Sequence, residues 1–194
     1  MNREERLAKN TFILSIGTFL PKLVAFITLP ILTGCLTKEE MGMYDLIIIL
    51  TSLVPPAVTL QIQAAALRFL IDIRDDVAKC KKVVSNIIIF IIPTSLLAMG
   101  LLFVFMPGDS VLKGLVCVYY FFDTITLALA QIARGIKKNL EYSINAILFS
   151  AIRMIMLIVL VRHLGYGLYG AVAALAASIV ISMVYLSIVV RLNE

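Results

Sequence analysis

The run from Thr11 to Leu36 constrains this chain most, because it is apolar apart from a single charge, Lys22. About 20 apolar residues at a rise of 1.5 Å per residue cross a hydrocarbon core of roughly 30 Å. Insertion scales make a lysine at the centre of such a helix unfavourable by roughly 2.5–3.5 kcal/mol. The run therefore predicts a membrane-spanning helix whose lysine is compensated by a hydrated cavity, a partner charge or an anionic substrate.

Five further apolar runs follow the first one. The composition also excludes a soluble globular chain. Hydrophobic residues make up 61% of the 194 residues and charged residues 15%, with a mean hydropathy of +1.03. A globular domain of this size has too little interior to bury so much apolar surface. Helices are expected, because each helix satisfies its own backbone polar groups in lipid. We predict an all-α integral membrane protein, a single domain of six transmembrane helices with antiparallel sequence neighbours, spanning approximately 11–35, 43–67, 84–105, 111–133, 142–161 and 168–190.

The basic residues lie mainly on one side of this arrangement. Twelve fall on the side of the two termini: Arg3, Arg6, Lys9, Arg68, Arg74, Lys79, Lys81, Lys82, Arg134, Lys137, Lys138 and Arg191. The opposite side has only Lys38, Lys113 and Arg162. Because cytoplasmic loops carry the excess of lysine and arginine, both termini are predicted to be cytoplasmic and the chain to cross the inner membrane several times.

Two rows of polar residues occur within the first two spans. Residues spaced three or four apart share one helical face. The first span carries Thr11, Ser15, Thr18 and Lys22 in such a row, and the second carries Ser52, Pro56, Thr59 and Gln63. Serine and threonine also serve as hydrogen-bonding contacts between membrane helices. The presence of Lys22 favours a hydrated cavity lined by Ser15, Thr18, Thr59 and Gln63.

Asp123 and Arg153 form a second pair of interest. They lie fifteen residues before and after Lys138, so an antiparallel hairpin would place them at the same depth. One interpretation is a buried ion pair that allows both charges to exist in the membrane. The other is a substrate contact at Arg153, with Asp123 as a proton or cation site.

The sequence contains no pattern typical of a catalytic or cofactor site. It has no phosphate-binding glycine loop, no Ser/His/Asp or Cys/His arrangement and no metal-ligand cluster. Cys35, Cys80 and Cys117 lack disulfide or metal spacing. The basic residues are dispersed between apolar runs, unlike a nucleic-acid-binding patch. We therefore predict neither an enzyme nor a nucleic-acid-binding protein, and no cofactor or metal.

The first 70 or so residues carry several short motifs in order: Lys9-Asn10-Thr11, Pro30 with Thr33, Leu36-Thr37-Lys38-Glu39-Glu40, Gly42-Met43-Tyr44, Thr59-Leu60 and Ala66-Leu67-Arg68-Phe69. Together they resemble the start of the Wzx-like polysaccharide flippases, a branch of the MATE-related exporter superfamily. Two positions depart from that pattern. Gly34 stands where a basic residue is common, and Gln61 stands where glycine is usual.

The resemblance implies a V-shaped transporter of two lobes around a cationic cavity. Members export undecaprenyl-pyrophosphate-linked oligosaccharides for surface polysaccharides such as the O-antigen of lipopolysaccharide, usually using an ion gradient. On this basis Lys22, Arg68 and Arg153 would attract the pyrophosphate. Because members have two lobes and this chain supplies one, it is expected to be an amino-terminal lobe that works in membrane lipid with a second lobe or as a homodimer.

Two other functions stay open at this point. A MATE-type drug/cation antiporter would have acidic cavity residues, whereas the charges within these spans are mostly basic. A non-transporting membrane scaffold of a glycan-export complex would need Lys22 for stability but not for export.

Overall fold

A computed structural model of the chain describes residues 3–73 and 76–191, with side chains for residues 11–73 and 76–190. Within these ranges the structure is helical and contains no strand. Six helical stretches are long and apolar enough to cross a membrane, which confirms the predicted all-α membrane fold. Arg74 and the side chains of Arg3, Arg6, Lys9 and Arg191, which enter the predicted charge asymmetry, lie outside the described residues.

The elements follow one another with short connections. They are α1 (Arg3–Cys35), α2 (Lys38–Val58), α3 (Ile62–Ile73), α4 (Val77–Phe105), α5 (Ser110–Gly135), α6 (Asn139–Leu157), a π-helical segment (Ile158–His163) and α7 (Gly167–Arg191). The π-helical segment continues α6, and the two together form one candidate span, Asn139–His163.

Side-chain caps explain why three of the connections are so short. Before α2, the Thr37 hydroxyl accepts from the Glu40 backbone N–H (3.2 Å), and the Glu40 carboxylate accepts from the Thr37 N–H (2.9 Å). Asp109 caps α5 and Asp76 caps α4 with one bond each, since their carboxylates accept from the backbone N–H groups of Leu112 and Lys79. The backbone and side chain of Lys79 lower the pKa of the Asp76 carboxyl below its ordinary value. Such caps satisfy N–H groups that would otherwise be unpaired at a helix start.

The second predicted span differs from the observed helices. The prediction was one helix over 43–67, but α2 ends at Val58 and α3 begins at Ile62. Pro55 and Pro56 lie in the last turn of α2 and remove two backbone donors. Leu60 and Gln61 then adopt left-handed conformations with φ of 49° and 58°, which end the helix. The second candidate span is therefore Lys38–Val58, and α3 is a separate helix.

The packing order differs from the chain order. The most extensive contacts join α7 to α5 and to α6, while α1 packs mainly on α6. Both α3 and α4 pack on α5, and α1 has few contacts with α2. Buried small residues on α7, namely Ala171, Ala174 and Ser178, allow the neighbouring backbones to approach closely. As a result α7 lies between α5 and α6, and the bundle core forms around it.

Candidate functional site

The polar row of α1 lies on the outer surface of the described bundle. The packed side of α1 buries Gly17, Thr28 and Leu32, whereas Ser15, Thr18 and Lys22 are exposed. Thr18 bonds only to carbonyls of its own helix, at Leu14 and Ser15. Within the part of the chain that the structure describes, Lys22 makes no hydrogen bond or ion pair. The compensation for this cation must therefore come from outside the described bundle.

The second polar row has a different environment. Thr59 and Gln63 are buried, and the Thr59 hydroxyl lies 2.7 Å from Gln63 Oε1 and 2.6 Å from the Pro55 carbonyl oxygen. These contacts stabilise the break between α2 and α3. Ser52 is exposed and bonds to the Ile49 carbonyl. The two rows therefore do not line one common surface in this structure, and the cavity role of Thr59 and Gln63 stays a prediction.

Arg153 is a structural link between α6 and α2. One of its terminal nitrogens donates to the Tyr44 hydroxyl at 2.5 Å. Its Nε is buried and has no partner among the described residues. Tyr44 is only 3% exposed, so this contact lies within the helix bundle. A buried donor without a partner is unfavourable, so the Nε of Arg153 is a position at which a further hydrogen-bond acceptor would be stabilised.

Asp123 and Arg153 form no ion pair with each other in this structure. Among the described residues the ion pair present is Lys79–Asp76. No carboxylate oxygen of Asp123 lies within 4.0 Å of a guanidinium nitrogen of Arg153. Tyr119, one turn before Asp123 on α5, lies close to Thr51, Asp123 and Arg153. We call the five residues Tyr44, Thr51, Tyr119, Asp123 and Arg153 the inner polar cluster.

Sequence reasoning identified two members of the inner polar cluster and missed three. Tyr44 and Thr51 come from α2 and Tyr119 from α5. Tyr119 precedes Asp123 by four residues, a spacing that places both on one face and could have indicated it. Tyr44 ends the motif Gly42-Met43-Tyr44, which was used for resemblance and not for chemistry.

The three predicted cationic residues are on separate helices. Arg68 is exposed on α3, Lys22 is exposed on α1 and Arg153 is half-buried on α6. No hydrogen bond among the described residues joins them. Their joint action on one anion stays a prediction. In the same described part of the chain, no group of three His, Cys, Asp or Glu residues is placed to hold a metal ion.

Comparison with known proteins relates this sequence to one protein family and its fold to one solved structure. The sequence model of a family described as "Polysaccharide biosynthesis protein" matches residues 7–193. A search of curated proteins finds no match. The fold is similar to a solved structure described as an outward-facing conformation of a multidrug resistance MATE family transporter of the MOP superfamily, with a TM-score of 0.67 and 15% identity. The alignment covers 93% of this chain and 43% of that one, so this chain spans less than half the length of that transporter.

Proposed function

The chain belongs to the polysaccharide biosynthesis protein family, and from that premise we propose that it is the amino-terminal lobe of a lipid-linked oligosaccharide flippase. Its cargo is an anionic oligosaccharide carried on undecaprenyl pyrophosphate, and it moves that cargo to the outer leaflet of the inner membrane. The family and the fold support a multi-pass membrane protein of transporter type. With both termini in the cytoplasm, the exposed face of α1 meets a second lobe or a second copy of this chain.

The single observation that carries this proposal is the position of Lys22. It is exposed near the middle of the first span, about 16 Å along the helix axis from Thr11 at 1.5 Å per residue. An ammonium group facing lipid at that depth is strongly unfavourable. A hydrated surface that receives an anionic head group supplies both the water and the counter-charge.

The other predicted site residues take separate roles in this proposal. Ser15 and Thr18 extend the hydrated face of α1, and Arg68, exposed near the middle of α3, attracts the pyrophosphate. Asp123 is the candidate for coupling an ion to the movement, because its carboxylate lies within a span and has no ion-pair partner among the described residues. Arg153, which is half-buried beside Tyr44, is the third predicted contact for the pyrophosphate. Thr59 and Gln63 hold the α2–α3 break that positions Arg68.

The test replaces Lys22 in the complete transporter, expressed in its own cells. A charge-assisted hydrogen bond contributes about 1.5–3 kcal/mol, which corresponds to roughly 10–150-fold in binding. We expect Lys22→Ala to reduce surface polysaccharide by about tenfold or more, Lys22→Arg to retain most of it, and the amount of protein in the membrane to stay unchanged. The matched control is Lys38→Ala, because Lys38 is an exposed lysine at the start of α2.

The outcomes separate the three functions. Normal export by Lys22→Ala, with reduced protein stability, would favour a membrane scaffold. Normal export with loss of resistance to cationic drugs would favour an antiporter. Export lost equally in Lys22→Ala and Lys22→Arg would contradict a simple charge contact with the pyrophosphate.

A further inference from the structure

A groove opens between α4, α5 and α7, away from the polar row of α1. Its volume is about 630 Å³, within the range of roughly 300–1,000 Å³ that is usual for small-ligand sites. Aliphatic side chains from all three helices line it, including Ile88, Ile92, Ile125, Leu129 and Val190. An apolar groove between membrane helices is suited to a hydrocarbon chain.

The polar residues of the groove are confined to one end. Lys81 and Ser85 line it from α4, and Ser187 lines it from α7. Lys81, Ser85, Ile88 and Ile92 are spaced four, three and four apart and so share one face of α4. From Lys81 to Ile92 the helix rises about 16 Å, which is close to half of a roughly 30 Å hydrocarbon core. The groove therefore has the depth of a single leaflet.

The two serine hydroxyls in the groove differ from those of Ser150 and Ser178 in the neighbouring part of the bundle. Ser150 and Ser178 lie within 2.9 and 2.7 Å of the carbonyl oxygen four residues earlier, as is usual in membrane helices. Ser85 and Ser187 have no hydrogen-bond partner in the described part of the chain. Ser85 is exposed and Ser187 is half-buried, so both hydroxyls can donate to a ligand with acceptor oxygens at this depth.

Charge complementarity at the open end favours an anionic ligand. Lys81 is exposed at the rim and, in the described ranges, makes no ion pair. The neighbouring Lys82 is also exposed, and Lys79 is 3.0 Å from Asp76. Basic residues at this level of a membrane helix attract anionic lipid head groups.

We propose that the groove binds one acyl chain of an anionic phospholipid from the leaflet at the Lys81 end. Lys81 contacts the phosphate, Ser85 and Ser187 donate to the ester carbonyls, and the aliphatic residues surround the chain. In the proposed orientation this is the cytoplasmic leaflet.

The experiment is native mass spectrometry of the full chain, released from detergent with phosphatidylglycerol or phosphatidylcholine of identical acyl chains. We expect one tightly retained phosphatidylglycerol, with a preference of about fivefold over phosphatidylcholine, the factor for one lysine near an anionic surface. Lys81→Gln should abolish the preference. Ser187→Leu should weaken retention of both lipids by filling the groove. The control Lys82→Gln removes an adjacent lysine that does not line the groove and should leave the preference unchanged.

A conservative variant covers the case in which Ser187→Leu impairs folding. Ser85→Ala removes one hydroxyl without adding volume and should weaken retention of both lipids while the unfolding temperature measured without lipid stays unchanged. Equal retention of the two lipids by the unaltered chain would overturn the proposal. So would an undiminished preference in Lys81→Gln, or displacement of phosphatidylglycerol by a lower concentration of polyprenyl phosphate, which would assign the groove to a polyprenyl chain.

Discussion

At the scale of single residues, the contact between Arg153 and Tyr44 can be tested directly by one substitution. Tyr44→Phe removes the acceptor of a guanidinium whose Nε already has no described partner. Leaving a buried donor unsatisfied costs about 1–3 kcal/mol, so the unfolding temperature of the purified protein should fall. Tyr166→Phe is the matched control, because Tyr166 is 57% exposed. Equal unfolding temperatures for the two variants would mean that water replaces the Tyr44 hydroxyl.

The same contact shows what a sequence does and does not specify. Charges inside apolar spans are rare, so Asp123 and Arg153 could be identified from their positions within apolar runs of the sequence. Their partners depend on how each helix is rotated about its axis, which no local pattern determines. Tyr44 and Arg153 are 109 positions apart, and the bundle brings them together through the packing of other helices.

At the scale of helices, the contact between α1 and α6 depends on Gly17. A Cβ on Gly17 would lie 2.8 Å from the Ser143 Cα, whereas a Cβ on Gly34 would meet nothing within 4 Å. Gly17→Ala should therefore destabilise the protein by about 1–3 kcal/mol through overpacking. Gly34→Ala should be neutral or stabilising by up to about 1 kcal/mol, because alanine is the better helix former. Denaturant unfolding of both variants measures the difference, and a stabilising Gly17→Ala would show that α1 and α6 are farther apart than described.

Helix positions were largely predictable from hydropathy, but their packing was not. All six spans were identified, because 20 apolar residues leave few alternatives in a membrane. The break after Val58 was missed although Pro55 and Pro56 precede it, because prolines also occur at kinks within continuous membrane helices. The left-handed conformations of Leu60 and Gln61, which end the helix, have no sequence signal. The docking of α3 on α5 was also unpredictable: it depends on Gly135, where a Cβ would lie 2.7 Å from the Leu70 Cβ.

At the scale of the whole molecule, the outward direction of Lys22 bears on what surrounds this bundle. The sequence identified the lysine and its polar row, but which side of α1 packs inward became clear only from its contact with α6. The exposed surface of α1 has a polar side and an apolar side. Lys22 and Thr18 are on the polar row, while Leu23 lies one residue further and about 100° round the axis. The two sides should meet different surroundings in the assembled transporter.

Cysteine labelling distinguishes those surroundings. In the complete protein with Cys35, Cys80 and Cys117 replaced by alanine, Lys22→Cys should react with a membrane-impermeant thiol reagent, because its thiolate forms in water. Leu23→Cys, at the same depth, should stay unmodified, because a thiol facing lipid does not ionise. The readout is the mass shift of each variant, with full denaturation as the positive control. Protection of both cysteines would contradict a hydrated cavity and favour Lys22 pairing with a charge on the second lobe. Reaction of both would mean that α1 is not lipid-facing on either side, so the second lobe would have to enclose the whole exposed surface of α1.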